Sequence, residues 1–354
     1  MRLVRTSVSL RSLVLLSVVL SAAATITAQS QNPPTPKTTP PQQDAQEIDP
    51  DDVISVSTTE VLLPVTVRDR SGRLVSDLTR KDFRVFENEI EQSLSELSLR
   101  QVPVDVVLMI DASSSAAKNL DDFRLAAEGF AAHLDANDRI SLIQFDDRVA
   151  LLQDWTRSLS QLRRSLKRIA PGMFTRFHDA VLLASRDQLA RPTARHAVIV
   201  LTDGIDSGRG STFAAALRAA LQSQTAIYVV SNTQIEREAK QEELSLLLSA
   251  GDSVRRFNQI RIDDLRLGLA ALDASEQNLE QLTAATGGRL YKPASFKDLE
   301  KTYAEVADEL RHQYALYYAP LNPKKDGRFR RVRVETSNST NQVTARIGYF
   351  AGKL

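Results

Sequence analysis

The stretch Val104-Asp-Val-Val-Leu-Met-Ile-Asp-Ala-Ser-Ser-Ser115 decides the fold. Its first positions are dominated by apolar, β-branched-rich residues, the pattern of a central strand covered on both faces. The run stops at Asp111, and Ser113 and Ser115 follow at alternate positions. A strand that gives way to a helix here projects a carboxylate and two hydroxyls into one crevice. Such hard oxygens suit Mg²⁺ or Mn²⁺ rather than zinc or copper. The competing reading makes Ser113 or Ser115 a plain N-cap of the helix that follows.

Beyond this stretch, strand and helix signals alternate. Leu120, Phe123, Ala127, Phe130 and Leu134 recur at helical spacing and predict a face buried against a sheet. Residues 139–145 read as a strand with 149–152 as its hairpin partner, and 159–169 as a helix. Another helix carries Phe177, Val181 and Ala184. A second fully apolar strand, Ala197-Val-Ile-Val-Leu201, ends in Thr202-Asp203-Gly204. A helix over 213–221, a strand over 226–230 and mixed-charge helical material over 234–272 come next. A helix marked by Leu279, Leu282 and Ala285, a short strand at 289–291, and a helix carrying Leu299, Tyr303, Val306 and Leu310 complete the series. The expected architecture is α/β: a doubly wound, mostly parallel sheet with helices on both faces, over residues 103–312.

The flanks are β-rich. Residues 53–102 hold strand-like runs at 61–67, 83–86 and 94–99; residues 313–354 hold runs at 314–318, 329–336 and 342–349. Neither segment suffices alone, so the two are expected to pair into one small β-sandwich into which the α/β domain is inserted. Residues 1–28 have the form of an export signal: Arg2, Arg5 and Arg11, an apolar run from Leu13 to Leu20, and small-residue cleavage sites at Ala24 or Ala28. Residues 29–52, with Pro33, Pro34, Pro36, Pro40, Pro41 and Pro50, read as an extended tether. The expectation is an exported chain, periplasmic or extracellular, with no integral membrane span after cleavage.

Composition narrows the chemistry. Lys+Arg number 45 and Asp+Glu 44, so no global field draws the chain to nucleic acid. With no cysteine, disulfides, thiol catalysis and thiolate metal sites are excluded. Four scattered histidines make a poor zinc set. The oxygens that converge on the sheet's carboxyl edge are Asp111, Ser113 and Ser115, Thr175 on the loop opening the Phe177 helix, and Asp203.

Asp111-x-Ser113-x-Ser115, Thr175 ahead of Asp179-Ala180, and Thr202-Asp203-Gly204 resemble, in that order, the metal-ion-dependent adhesion site (MIDAS) of von Willebrand factor type A (VWA) domains. More narrowly, the chain resembles the secreted, acidobacterial-type VWFA-related family. That likeness rests on Val67-x-Asp-x-x-Gly72, Leu78-Thr-x-x-Asp-Phe83, Thr286-Gly-Gly-Arg289, Glu309-Leu-Arg-x-Gln-Tyr314, Asp326-Gly-Arg-Phe329 and Ala345-Arg-Ile-Gly-Tyr-Phe350. It implies a Mg²⁺ (or Mn²⁺) ion ligated by Ser113, Ser115 and Thr175, with Asp111 and Asp203 ligating it or holding its waters. One position would stay open for an Asp or Glu carboxylate of a protein partner, which makes the chain a binding module and not an enzyme. Met173-Phe174 departs from the family, which usually has glycine there, and is expected to stiffen or shield the threonine loop.

Rival constellations carry less. Ser113 or Ser114 with His178 and Asp203 lacks the Gly-x-Ser-x-Gly context of a hydrolase nucleophile. Asp206 is the nearby candidate for a general base, with a turn role as its plainer reading. Lys324–Arg331 reads as a solvated hairpin turn and Asp146-Asp147 as surface carboxylates. The functional alternative is a structural or assembly component that needs no metal.

Overall fold

The structure is a computed structural model and describes residues 60–99, 102–114, 116–190, 195–207 and 210–352. The expected leader (1–28) and tether (29–52), and Ser115, lie outside the described residues.

The described chain opens with β1 (Val61–Arg68), β2 (Phe83–Glu87), β3 (Ile90–Gln92) and β4 (Leu94–Leu99). Val61, Leu63, Val65 and Val67 of β1 and Phe83 and Val85 of β2 are buried at every second position, as a strand with one covered face requires. There follow β5 (Val104–Asp111), α1 (Leu120–Ala132), β6 (Arg139–Phe145), β7 (Val149–Thr156), α2 (Leu159–Leu166) and α3 (Phe177–Leu183). Next are β8 (Arg195–Thr202), α4 (Phe213–Gln222), β9 (Ala226–Ser231), α5 (Thr233–Ser249), α6 (Asp252–Phe257), α7 (Gln259–Thr286), β10 (Leu290–Tyr291) and α8 (Leu299–Arg311). The chain closes with β11 (Tyr314–Tyr318), β12 (Phe329–Thr336), β13 (Gln342–Thr344) and β14 (Gly348–Phe350).

The central sheet runs β10-β9-β8-β5-β6-β7, parallel except for the antiparallel edge strand β7. Every residue of β5 is buried. Val106, Leu108 and Ile110 pack with α1, α2 and α8, whereas Val107 and Met109 pack with α3, α4 and α7. Burial on both faces is why the strand shows no polar alternation. From β5 the chain moves to β6 on one side and later to β8 on the other. The topological switch therefore lies between β5 and β8, where open α/β sheets bind ligands.

The flanking strands form two further sheets, β13-β1-β11-β4 and β14-β12-β2-β3. Their inner faces share one core of Val61, Leu63, Val65, Phe83, Val85, Tyr314, Leu316, Tyr318, Val332 and Tyr349. β1 pairs with β11 and β2 with β12, so the segments before and after the α/β unit close one sandwich.

Two expectations need correction. The run 342–349 is not one strand: β13 joins β1 in one sheet, and β14 joins β12 in the other. Between them the Arg346 side chain turns inward and donates to the Leu62 carbonyl (2.7 Å) and Gln224 Oε1 (3.0 Å). Burial pulls its guanidinium down to about 10. The basic run 324–331 is likewise not all solvated, because Arg330 is buried 3.5 Å from Glu87.

Candidate metal centre

Three loops meet at the switch point. At the end of β5, Asp111 Oδ1 accepts the Ser113 N–H (2.9 Å), an Asx turn that redirects the chain toward α1. The Ser113 carbonyl then accepts the N–H groups of Ala116 and Ala117, each at 3.0 Å. At the end of β8, the Thr202 hydroxyl donates to Asp111 Oδ2 (2.6 Å) and accepts the Gly204 N–H (2.8 Å). Asp203 Oδ1 accepts the Ile205 N–H (3.0 Å), a second Asx turn. Thr175 is tied to the loop after β8 in both directions: its N–H donates to Ser207 Oγ (2.9 Å), and its carbonyl accepts the Ser207 N–H (3.1 Å).

Asp111, Ser113, Thr175 and Asp203 are all buried. Asp111 is only 1% exposed, and desolvation, followed by the charge of nearby Asp203, pushes its carboxyl up to about 7. Hydrogen bonds from Ser113 and Thr202 oppose that rise without cancelling it. Among the described residues no group of three or more His, Cys, Asp or Glu side chains has the geometry to hold a metal. An ion held here would therefore rely on hydroxyls beside the two carboxylates. Two desolvated, mutually repelling carboxylates with Ser and Thr hydroxyls are a donor set that fits a hard divalent cation.

Several residues that shape the site were not legible as site residues. The Ser275 hydroxyl of α7 donates to the Asp203 carbonyl (2.5 Å), a contact between positions 72 apart in the chain. Asp147, read above as a surface carboxylate, accepts the Phe174 N–H (2.8 Å) and the Met173 N–H (3.3 Å). Asp146, also expected at the surface, is buried and accepts from the Gln144 side chain and the Arg148 N–H (2.9 Å). A Cβ at Gly172 would sit 2.5 Å from Asp146 Cβ, so only glycine lets the threonine loop pass so close. Asp206 reaches across to the start of α3: it accepts the His178 N–H (2.9 Å) and lies 2.8 Å from His178 Nδ1. Of the rival constellation, His178 pairs with Asp206, and Ser114 Oγ donates to the Met173 carbonyl (3.1 Å).

Gly204 supplies a direct test of how tightly α7 holds the Asp203 loop. Its φ is +70°, and an added Cβ would lie 2.6 Å from Leu279 Cδ1 and 2.7 Å from Ser275 Oγ. Gly204→Ala is expected to cost about 1–3 kcal/mol through strain and displaced α7 contacts. Urea denaturation measures it, and a change below about 0.5 kcal/mol contradicts the close packing.

The sequence model of the von Willebrand factor type A domain matches residues 106–206, the segment from β5 through β8 to Asp206. No curated protein matches the chain in sequence. Among solved structures, the vWF domain of the type V pili tip protein Mfa5 from Porphyromonas gingivalis is 27% identical over 30% of this chain and 39% of that one, with a TM-score of 0.28. Proximal thread matrix protein 1 of the mussel byssus, with a zinc-occupied MIDAS motif, is 14% identical over 63% and 49% (TM-score 0.45). A von Willebrand factor type A protein from Catenulispora acidiphila is 13% identical over 66% and 50% (TM-score 0.43). The chain spans half or less of the length of each. It carries a von Willebrand factor type A domain. Among the described residues, no helix is long and apolar enough to cross a membrane.

Proposed function

We propose that the chain is an exported, metal-dependent protein-binding module. Asp111, Ser113, Ser115, Thr175 and Asp203 would hold Mg²⁺ or Mn²⁺, and an Asp or Glu carboxylate of a partner protein would take the remaining position. The observation that carries this reading is the buried Asp111, whose carboxyl is pushed up by desolvation and by Asp203. Such a pair is unfavourable alone and relieved by a cation. The bound ion supplies the positive charge that draws and orients the partner's carboxylate. This chain's own residues fix the loops: Thr202 clamps Asp111, Ser275 holds the Asp203 backbone, and Ser207 ties down Thr175. Export rests on the basic and apolar pattern of residues 1–28.

Thermal unfolding in EDTA and in excess Mg²⁺ tests the site. An ion that binds only the folded state at about 100 times its dissociation constant contributes roughly 2.7 kcal/mol. That corresponds to a midpoint rise of about 5 °C for a chain of this size. Asp203→Ala is expected to remove the rise. A flat response in the wild type would hand the oxygens back to helix and turn capping, and the metal-independent assembly component would replace this reading.

A further inference from the structure

We infer that Met173 and Phe174 form a rigid apolar rim on the metal crevice. Through it the site selects a partner segment in which an Asp or Glu lies within two positions of a large apolar residue. The inference rests on the metal-site reading above and specifies its partner.

Met173 is 71% exposed and Phe174 55%, yet they directly precede the buried Thr175. Their exposure does not come from a loose loop. The Gly172 N–H donates to the Ala112 carbonyl (2.7 Å), on the same turn as Asp111 and Ser113. The Met173 and Phe174 N–H groups both go to the Asp147 carboxylate, and the Met173 carbonyl accepts from Ser114 Oγ. With Thr175 N–H on Ser207, four successive backbone donors are engaged. Gly172 is wedged against Asp146 below. The backbone is therefore fixed while two large apolar side chains are held in water, an arrangement that preorganises a contact and lowers its ordering cost. Phe offers a stiff face and Met an adaptable one, a combination suited to a single apolar anchor.

The occupant follows from charge and spacing. The crevice takes an anion through the ion, so the partner brings a carboxylate. The rim lies one and two residues from Thr175, and consecutive Cα atoms are about 3.8 Å apart in any chain. A residue one or two positions from a carboxylate held at the ion is therefore within reach of Met173 and Phe174. If that residue is Leu, Ile, Met or Phe, both surfaces leave water together.

The test uses the full chain and three acetylated, amidated hexapeptides: Asp followed by Leu, Asp followed by Gly, and Asn followed by Leu, in an otherwise glycine background. Binding is read by calorimetry in Mg²⁺ and in EDTA. The expected result is at least a tenfold preference for the Asp-Leu peptide over the Asp-Gly peptide in Mg²⁺, with neither the Asn peptide nor EDTA supporting binding. The double variant Met173→Ser/Phe174→Ser is expected to bring that ratio close to one while its Mg²⁺-induced thermal shift stays at the wild-type value. Equal binding of both Asp peptides, no binding of either, or a leucine preference that survives EDTA each overturns the rim. A missing Mg²⁺ thermal shift in the wild type instead overturns the metal-site reading beneath it, so the two failures are separable.

Discussion

Asp111→Asn is expected to raise the stability of the ion-free chain at pH 8 and at the same time abolish its response to Mg²⁺. The folded-state carboxyl titrates near 7, above its ordinary 3.8, because burial and then Asp203 disfavour its charge. Below about pH 4 the group is protonated in both folded and unfolded chains and contributes nothing. Between about 4 and 7 the folded chain keeps a proton that the unfolded chain releases, so stability falls as pH rises. Above 7 the full penalty applies, on the order of 4 kcal/mol. Asparagine keeps an oxygen for the Ser113 N–H but leaves the Thr202 hydroxyl without its carboxylate, which offsets about 1 kcal/mol. A net gain of about 2–3 kcal/mol at pH 8, shrinking toward pH 5, is the expectation from denaturation in EDTA. In Mg²⁺ the order reverses, because only the wild type gains. The same titration makes ion binding compete with a proton, so Mg²⁺ affinity in the wild type declines below pH 7. A variant less stable than wild type at every pH would mean that Asp111 is a structural cap.

The sequence carried the central strands because burial on both faces leaves an unbroken apolar run, and β5 and β8 are such runs. The oxygens at their ends were visible as a pattern but ambiguous alone, since a carboxylate and hydroxyls after a strand also serve as turn and helix caps, as the Asx turns of Asp111 and Asp203 show. The sandwich was legible as a deficit: neither flank has enough strands to cover a core alone. The features without a local sequence signal depend on partners distant in sequence. Nothing local distinguishes Arg346 from a solvent-facing strand residue; its acceptors, Leu62 and Gln224, lie far away. Ser275 sits in a helical stripe, and only the fold brings it to Asp203. Asp147 was read as a surface charge because its acceptor role lies toward the backbone of a loop 26 and 27 positions later. Helical periodicity over 234–272 predicts an apolar stripe but not its cover; Leu246, Phe257, Ile260 and Leu267 are exposed in this limb.

Glu87→Ala is expected to be the most damaging change in the sandwich, costing about 3–5 kcal/mol. Glu87 lies buried at the end of β2 and accepts the Tyr349 hydroxyl of β14 (2.8 Å). It also accepts the Tyr318 hydroxyl (3.0 Å) from β11 in the facing sheet, and Arg330 of β12 lies 3.5 Å away, itself buried. Burial pushes both phenols well up, so they remain neutral donors to the carboxylate at any working pH. Truncation strands two hydroxyls and leaves a buried guanidinium with its Asp326 contact (3.3 Å) and backbone carbonyls. Glu87→Gln keeps the shape without the charge and should fall between. Replacing the pair together, Glu87→Leu with Arg330→Met, should recover only the part of the loss that comes from the unpaired guanidinium, because the Tyr318 and Tyr349 hydroxyls stay without an acceptor. Urea denaturation of the four chains measures this, and a single-variant loss under about 1 kcal/mol would remove Glu87 as the tie between sheets. The effect should also reach the metal centre. The Ile347 N–H donates to the Ala285 carbonyl near the end of α7 (3.0 Å), and the same helix holds the Asp203 backbone through Ser275. A sandwich that frees the C-terminal part of α7 also loosens the Asp203 backbone held by Ser275, so Glu87→Ala should reduce the Mg²⁺-induced shift and Glu87→Gln should reduce it less.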